Sequence, residues 1–166
     1  MPVLIVAIAI IGGIVQVVRE KDRTPARVAE ILLLWWLVVA IGIGGVVGAA
    51  FHVFDGPDIA KEIGFTRGDG GFQFENAMGD LALGVVGILC FRFRGPFWLA
   101  AIIFTSIQYY GDAYGHFYQM IENDNHEPDN VGVPLYLDLI EPTVAWVLYA
   151  VMKRGRGAET LEPRTA

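Results

Sequence analysis

An aspartate and a histidine lie one helical turn apart in the stretch "YYGDAYGH", which follows a run of apolar residues. Asp112 and His116 are four residues apart, so they share a face if the stretch is helical. Asp138 and Glu141 are three residues apart and would share a face of a later helix. Carboxylates and imidazoles that converge inside a helical bundle are typical ligands of transition metals. The Asp–His spacing alone favours a structural hydrogen bond between helices, but several acids without basic partners favour a metal site.

The predicted metal ligands come from several separate segments of the chain. The primary candidates are Glu75, Asp112, His116 and Asp138. The secondary candidates are His52, Asp80, Glu141 and Gln73. The ion is left open among Zn, Fe, Mn and Cu, all of which accept ligands of these kinds. A haem held between His52 and His116 is a less favoured variant of the same prediction.

The segments that must position these residues are those of a membrane protein. Apolar residues make up 54% of the chain and charged residues only 18%, against about 25% in soluble proteins. We expect an all-α fold: an integral membrane helical bundle of five transmembrane helices, with a four-helix core and a short N-terminal span. The predicted spans are Pro2–Val18, Val28–Phe54, Phe72–Phe91, Phe97–Gln119 and Pro134–Met152.

Lysine and arginine determine the predicted orientation of the bundle. The loops "REKDRTPAR", "RFRG" and "KRGR" hold most of them, whereas the other two loops hold only Lys61 and Arg67. Because basic loops stay on the cytoplasmic side, we expect the N-terminus outside and the C-terminus inside. A single domain would occupy residues 1–152, followed by a cytoplasmic tail at residues 153–166. The chain is thus predicted to be a multi-pass protein of the inner cell membrane.

The ionisable residues of the predicted spans lie in the outer half, apart from Glu30 near the start of the second span. Asp80, Asp112 and Glu141 would lie roughly 10–12 Å below the outer surface, at 1.5 Å per residue. A charge near the bilayer centre costs at least about 2.5–3.5 kcal/mol, and no Lys or Arg of the outer halves can pair with these acids. A proton, a histidine, water or a bound cation must therefore neutralise them.

Small and aromatic residues predict how the helices pack. Glycines at spacings typical of close helix contacts are Gly42, Gly44, Gly45 and Gly48 in the second span, Gly84 and Gly87 in the third, and Gly111 and Gly115 in the fourth. Such glycine-rich faces also suit a homo-oligomer or a larger membrane complex. Trp35, Trp36 and Trp98 lie near the cytoplasmic ends of their spans, which predicts an aromatic belt there.

The surroundings of the bundle are predicted from the remaining segments. The lipid bilayer is the expected partner, and nucleic acid is not expected because the chain has no basic face. A short amphipathic piece around Ile59–Ile63 is expected to lie along the interface as a lid over the acidic cluster.

Three blocks of the sequence together resemble a known family: "GFQFENAMGDLALGVVGIL", "YYGDAYGHFYQMIENDNHEPDNVG" and "LYLDLIEP". They are similar to small prokaryotic polytopic membrane proteins that are classified only as a domain of unknown function, over roughly residues 45–142. The resemblance implies a membrane fold and carries no activity. It further implies that the family pattern includes Gln73, Glu75, His116, Asn130, Gly132 and Asp138.

Three functions fit these observations. The first is a metal-binding membrane protein, such as an oxidoreductase subunit. The second is a proton- or cation-coupled carrier, which would need a path through an inner half that is apolar. The third is an accessory or structural subunit whose polar cluster holds the helices together by hydrogen bonds. Whether the chain is an enzyme stays open, and no catalytic residue is assigned. Nucleophilic hydrolysis is disfavoured because the only serine, Ser106, has no histidine at helical spacing.

Overall fold

The architecture is a bundle of helices packed side by side. The computed structural model of the chain describes residues 1–65 and 70–159. Within these ranges the elements are α1 (Pro2–Arg19), α2 (Pro25–Trp35), a π-helical segment (Trp36–Ile43), α3 (Gly44–Phe54), α4 (Gly56–Glu62), α5 (Gly70–Leu89), α6 (Pro96–Glu122), α7 (Pro128–Val131) and α8 (Val133–Glu159). α2, the π-helical segment and α3 follow one another without a break and form one long helix. The described chain is all-α, which confirms the predicted fold class.

Three of the described helices are long and apolar enough to cross a membrane: Pro2–Arg19, Pro25–Phe54 and Pro128–Gly157. α5 and α6 are about 30 and 40 Å long at 1.5 Å per residue, which is also sufficient for a span. Both carry polar residues in one half, and these lower their mean hydropathy. The helices are therefore those expected of a membrane protein, while the count of five spans and the orientation stay predictions.

The last helix is longer than the predicted span. α8 runs to Glu159, so residues 153–159 of the predicted tail continue the helix. The rest of that tail, residues 160–166, and Arg67 of the predicted outer loop lie outside the described residues. Pro142 lies inside α8 and has no N–H, so the carbonyl group four residues earlier lacks its usual helical donor.

The backbones of the π-helical segment and α3 lie in direct contact with the backbone of α5 where these helices cross. A β-carbon added at Gly84 would lie 2.6 Å from the backbone nitrogen of Val46, and one at Gly87 would lie 2.7 Å from the Cα atom of Gly42. Gly45 is similarly confined. A side chain cannot occupy such distances, so only glycine permits this approach. The close packing predicted for these glycines is confirmed, and it occurs within the chain.

The glycines of α6 have a different environment. Gly111 and Gly115 were expected to admit a neighbouring helix, but no neighbouring side chain or helix lies within 4 Å of a β-carbon at either position. The prediction is wrong for this pair because both glycines line a cavity. Gly44 also has open space beside it and lines the same cavity.

An ion-pair network around Glu30 holds one end of the bundle together. The Glu30 carboxylate lies 3.0 Å from Arg27, 2.8 Å from Arg156 and 3.8 Å from Arg94. These arginines belong to the start of α2, the end of α8 and the loop before α6, so the three basic segments meet at one end. Arg27 also contacts Glu20 at 2.7 Å, and its hydrogen bond lowers the pKa of the Glu20 carboxyl.

Replacing Glu30 with glutamine is expected to lower the free energy of unfolding by about 1–2 kcal/mol, because three partly exposed arginines lose their shared carboxylate. Thermal unfolding in detergent at low salt measures the effect. Glu122→Gln is the control, because Glu122 is exposed and forms no ion pair with a described residue. If high salt left the difference between the two variants unchanged, its electrostatic cause would be refuted.

Two tryptophans expected in an aromatic belt are buried inside the bundle. Trp36 is 6% exposed, and its indole N–H donates to the carbonyl oxygen of Glu141 at 2.9 Å. Trp98 is also buried and donates to the carbonyl oxygen of Cys90 at 2.9 Å. The belt prediction is therefore wrong for both residues. The bond from Trp36 instead ties the π-helical segment to α8, close to the polar residues of that helix.

Candidate functional site

A cavity of about 520 Å³ opens among the helix ends opposite the Glu30 network. Its main walls are α3, the N-terminal halves of α5 and α8, and the C-terminal half of α6. No Lys or Arg side chain of the described residues lines it. The polar residues of the long helices that line it include His52, Gln73, Asn76, Asp80, Tyr109, Asp112, His116, Asp138 and Glu141. The structure thus brings the polar stripes of several helices together.

The first histidine of the cavity lies between an amide and a carboxylate. His52 Nδ1 lies 2.6 Å from Gln73 Oε1, an oxygen that can only accept, so Nδ1 carries the proton of this hydrogen bond. His52 Nε2 lies 3.7 Å from Asp80 Oδ2. In the neutral ring Nε2 therefore directs a lone pair towards this side of the cavity.

The second histidine has the same arrangement, with its tautomer fixed by more contacts. His116 Nδ1 lies 3.0 Å from Asn130 Oδ1, and His116 Nε2 lies 3.6 Å from Asp138 Oδ2. The Asn130 amide cannot be reversed, because its nitrogen donates to the carbonyl oxygens of Asn125 at 2.8 Å and His116 at 3.3 Å. Its oxygen therefore accepts from Nδ1, and Nε2 is the nitrogen that keeps a lone pair in the neutral ring.

The separation between each Nε2 and its carboxylate suits a shared cation. Both separations exceed the length of a normal hydrogen bond, which ends near about 3.2 Å. Two ligands of one ion, with bonds of about 2.1 Å at tetrahedral angles, lie roughly 3.4 Å apart. Metal-bound histidines also usually donate their other N–H to an oxygen, as both rings do here. The distance within each histidine–aspartate pair is therefore compatible with two ligands of one ion.

Two further carboxylates reach the cavity from α6 and α8. Asp112 accepts a hydrogen bond from Gln108 Nε2 at 3.1 Å. Glu141 is 5% exposed, and its Oε2 atom has no hydrogen-bond partner among the described residues. A buried carboxylate oxygen without a partner is costly unless a proton or cation lies beside it. Glu141 is consequently the lining residue with the strongest need for a ligand.

The cavity lining includes every candidate ligand from the sequence except Glu75. Glu75 is exposed on α5 and lies outside the lining, whereas Gln73 is 1% exposed and contacts His52. Over residues 1–65 and 70–159, no group of three or more His, Cys, Asp or Glu side chains is arranged to hold a metal ion. Each histidine–aspartate pair brings together two side chains of the ligand type, which is fewer than the three of such a group.

Two residues of the cavity were missed by reasoning from the individual residues. Asn130 entered only through the family resemblance, and its role in orienting His116 depends on a loop contact that has no helical spacing. Tyr109 also lines the cavity. A signal for it was present, because Tyr109, Asp112 and His116 are separated by three and four residues and share one helix face.

A short helix and a turn border one side of the cavity. α4 and the turn after it contribute Ile59, Ile63 and Phe65 to the lining. Asn125 Nδ2 donates to the carbonyl oxygen of Ile63 at 2.8 Å, which joins this segment to the loop before α7. Gly64, which follows Ile63, has a φ of +81°, and a β-carbon at this position would clash with the Asn125 amide. The segment predicted as a lid is thus helical and adjoins the polar cluster.

Comparison with known proteins gives a family and no activity. No curated protein and no solved structure matches the chain significantly. The model of a family of unknown function, DUF6790, matches residues 1–158 and so extends beyond the three blocks that carried the resemblance. The resemblance to a family of unknown function is confirmed, while a prokaryotic origin stays a prediction. The chain belongs to the family of unknown function DUF6790.

Proposed function

We propose that the chain is a multi-pass inner-membrane protein that binds a divalent transition-metal ion in the cavity. The observation that carries the proposal is the geometry of His116. Asn130 leaves the Nε2 atom of this ring free, and that atom lies 3.6 Å from Asp138 Oδ2. Zn²⁺ is the reference ion, because it accepts imidazole and carboxylate ligands and tolerates a site completed by water.

The proposed topology has five spans. They are α1, the continuous helix from α2 to α3, α5, α6 and α8, and the two more polar helices α5 and α6 pack against the others. All three basic segments lie at the end that contains the Glu30 network. If that end is cytoplasmic, as basic loops usually are, the cavity opens on the outer side of the membrane.

The charge of the cavity supports a cation as its ligand. Asp80, Asp112, Asp138 and Glu141 line it from the long helices, and no described Lys or Arg side chain compensates them there. Charges are poorly screened within a bilayer, so these carboxylates need cations or protons. Glu141 shows this need at one position of the cavity, because its buried Oε2 atom has no hydrogen-bond partner among the described residues.

Binding is favoured over transport by the residues between the cavity and the Glu30 network. This part of the bundle is an apolar core that includes Leu37, Leu83 and Ile102, all buried. A coupled carrier needs charged groups along its path, and the helix segments 31–51, 81–91, 97–111 and 142–152 between the two ends contain no Asp, Glu, Lys, Arg or His. A purely structural cluster would instead be expected to satisfy its own polar atoms, which Glu141 Oε2 does not.

The proposed ion would be held by His116 Nε2 and Asp138, with Asp112 and Glu141 one helical turn from them as further oxygen ligands. The positions that remain would be open to water or to an external ligand from the outer side. A haem between His52 and His116 is less favoured, because the Nε2 atom of each ring faces a carboxylate.

Elemental analysis of purified protein tests the proposal. After removal of metal with a chelator and dialysis against Zn²⁺, the wild-type chain is expected to retain Zn²⁺. His116→Ala is expected to lower the affinity at least about 10-fold, since a ligand should contribute at least as much as its supporting contacts. The matched control is His126→Ala, because His126 is exposed and, among the described residues, pairs only with Asp124 in a loop. Equal Zn²⁺ retention by the two variants, or none by the wild type, would refute the proposal.

A further inference from the structure

The two histidines of the cavity belong to helix pairs that are built in the same way. α3 carries His52 and packs on α5, which carries Gln73 and Asp80. α6 carries His116 and packs on α8, which carries Asp138. A short helix connects the members of each pair, α4 in the first and α7 in the second. Both short helices have a Pro-Asp dipeptide in their first turn.

Each pair of helices presents its histidine with the same chemistry. The Nδ1 atom bonds to a carboxamide oxygen, at 2.6 Å for His52 and 3.0 Å for His116. The Nε2 atom lies near an aspartate oxygen, at 3.7 Å and 3.6 Å respectively. The cavity therefore contains two imidazole–carboxylate ligand pairs of matching geometry, where the proposed function uses one.

The charges of the cavity match two divalent ions better than one. The long helices contribute four carboxylates, Asp80, Asp112, Asp138 and Glu141, and α7 adds Asp129. Two divalent cations balance the four carboxylates of the long helices in their ionised form, whereas a single ion leaves two of these charges to be neutralised by protons. An uncompensated charge is costly at this depth. The buried Glu141 Oε2 atom, which has no hydrogen-bond partner among the described residues, indicates where positive charge is lacking.

We infer that the cavity holds two divalent metal ions, one between His52 and Asp80 and the other between His116 and Asp138. This inference rests on the proposed function and extends it by assigning a second ion to a second set of ligands. A cavity of 520 Å³ has room for two ions and several waters, each of which occupies about 30 Å³ in the liquid.

Metal stoichiometry tests the inference with conservative variants that keep a polar side chain in place of each histidine. The wild-type chain in detergent, freed of metal and titrated with Zn²⁺, is expected to bind two ions per chain. His52→Gln and His116→Gln should each bind one, and the double variant none. Size-exclusion chromatography and circular dichroism verify folding, and Asp80→Asn replaces His52→Gln if that variant does not fold.

The stoichiometry also separates this inference from the proposed function. If the wild type binds a single ion that His116→Gln removes and His52→Gln retains, the second site is refuted and the proposed function stands. If the wild type binds no ion, both are refuted.

Discussion

Replacing Glu141 with methionine is expected to raise the melting temperature of the metal-free protein and to reduce its stabilisation by metal. Methionine fills nearly the same space without an unpartnered carboxylate, whose burial costs about 1–3 kcal/mol. For a chain of this size the gain corresponds to roughly 3–10 °C. The Trp36 bond is retained, because it ends on the backbone carbonyl of Glu141.

Differential scanning fluorimetry in detergent, with chelator and with Zn²⁺, measures both effects. In the wild type, Zn²⁺ should raise the melting temperature because it binds the folded state. In Glu141→Met this increase should be smaller. Glu75→Met is the matched control, since it removes the same charge from an exposed site outside the cavity. A lower melting temperature of metal-free Glu141→Met would contradict the expectation.

Replacing Gly84 with alanine is expected to destabilise the bundle by about 1–3 kcal/mol, the usual cost of an overfilled contact. The new methyl group would lie 2.6 Å from the backbone nitrogen of Val46 and 2.8 Å from the carbonyl oxygen of Gly42. Both atoms belong to a continuous helix, so they cannot move aside as the end of a flexible side chain does. The loss should appear as a lower melting temperature and a lower yield of monodisperse protein.

Gly111→Ala is the matched control for this variant. It makes the same chemical change in another long helix, where no neighbouring helix or side chain lies within 4 Å of the new methyl group. Alanine is also the better helix former by up to about 1 kcal/mol, so Gly111→Ala should unfold at the same temperature as wild type or slightly above it. Similar losses in the two variants would show that packing across α5 is not the cause.

The helices and the convergence of their polar halves could be predicted because both follow from charge and hydropathy. Which of Glu75 and Gln73 faces the cavity could not be predicted. At about 100° per residue, Glu75 lies roughly 140° away from Asp80 around α5, whereas Gln73 lies only about 20° from it. Glu75 and Asp80 therefore cannot both face the cavity. The sequence shows that only one of these two residues can face the cavity. The packing of α5 on α3 sets the rotation of α5, and this rotation turns Asp80 towards the cavity.

The spacing of a motif was least informative where the role of the motif depends on which residues of another helix lie opposite it. Gly84 and Gly111 both belong to glycine pairs of the close-packing kind, yet one contacts a backbone and the other borders open space. Only the arrangement of the other helices separates the two cases. The hydrogen bond between Trp36 and Glu141 could likewise not be predicted from spacing, because it joins residues that are far apart in the sequence.

The three glycines that border the cavity without touching a neighbour, Gly44, Gly111 and Gly115, have a consequence for the free volume of the cavity. A methyl group at any of them would occupy about the volume of one water molecule, about 30 Å³, and would leave the helix contacts intact. The free volume of the cavity can therefore be reduced at positions where the bundle has no packing contact to lose. Evolution or design can fill the cavity there, one small side chain at a time, without disturbing the contacts between the helices.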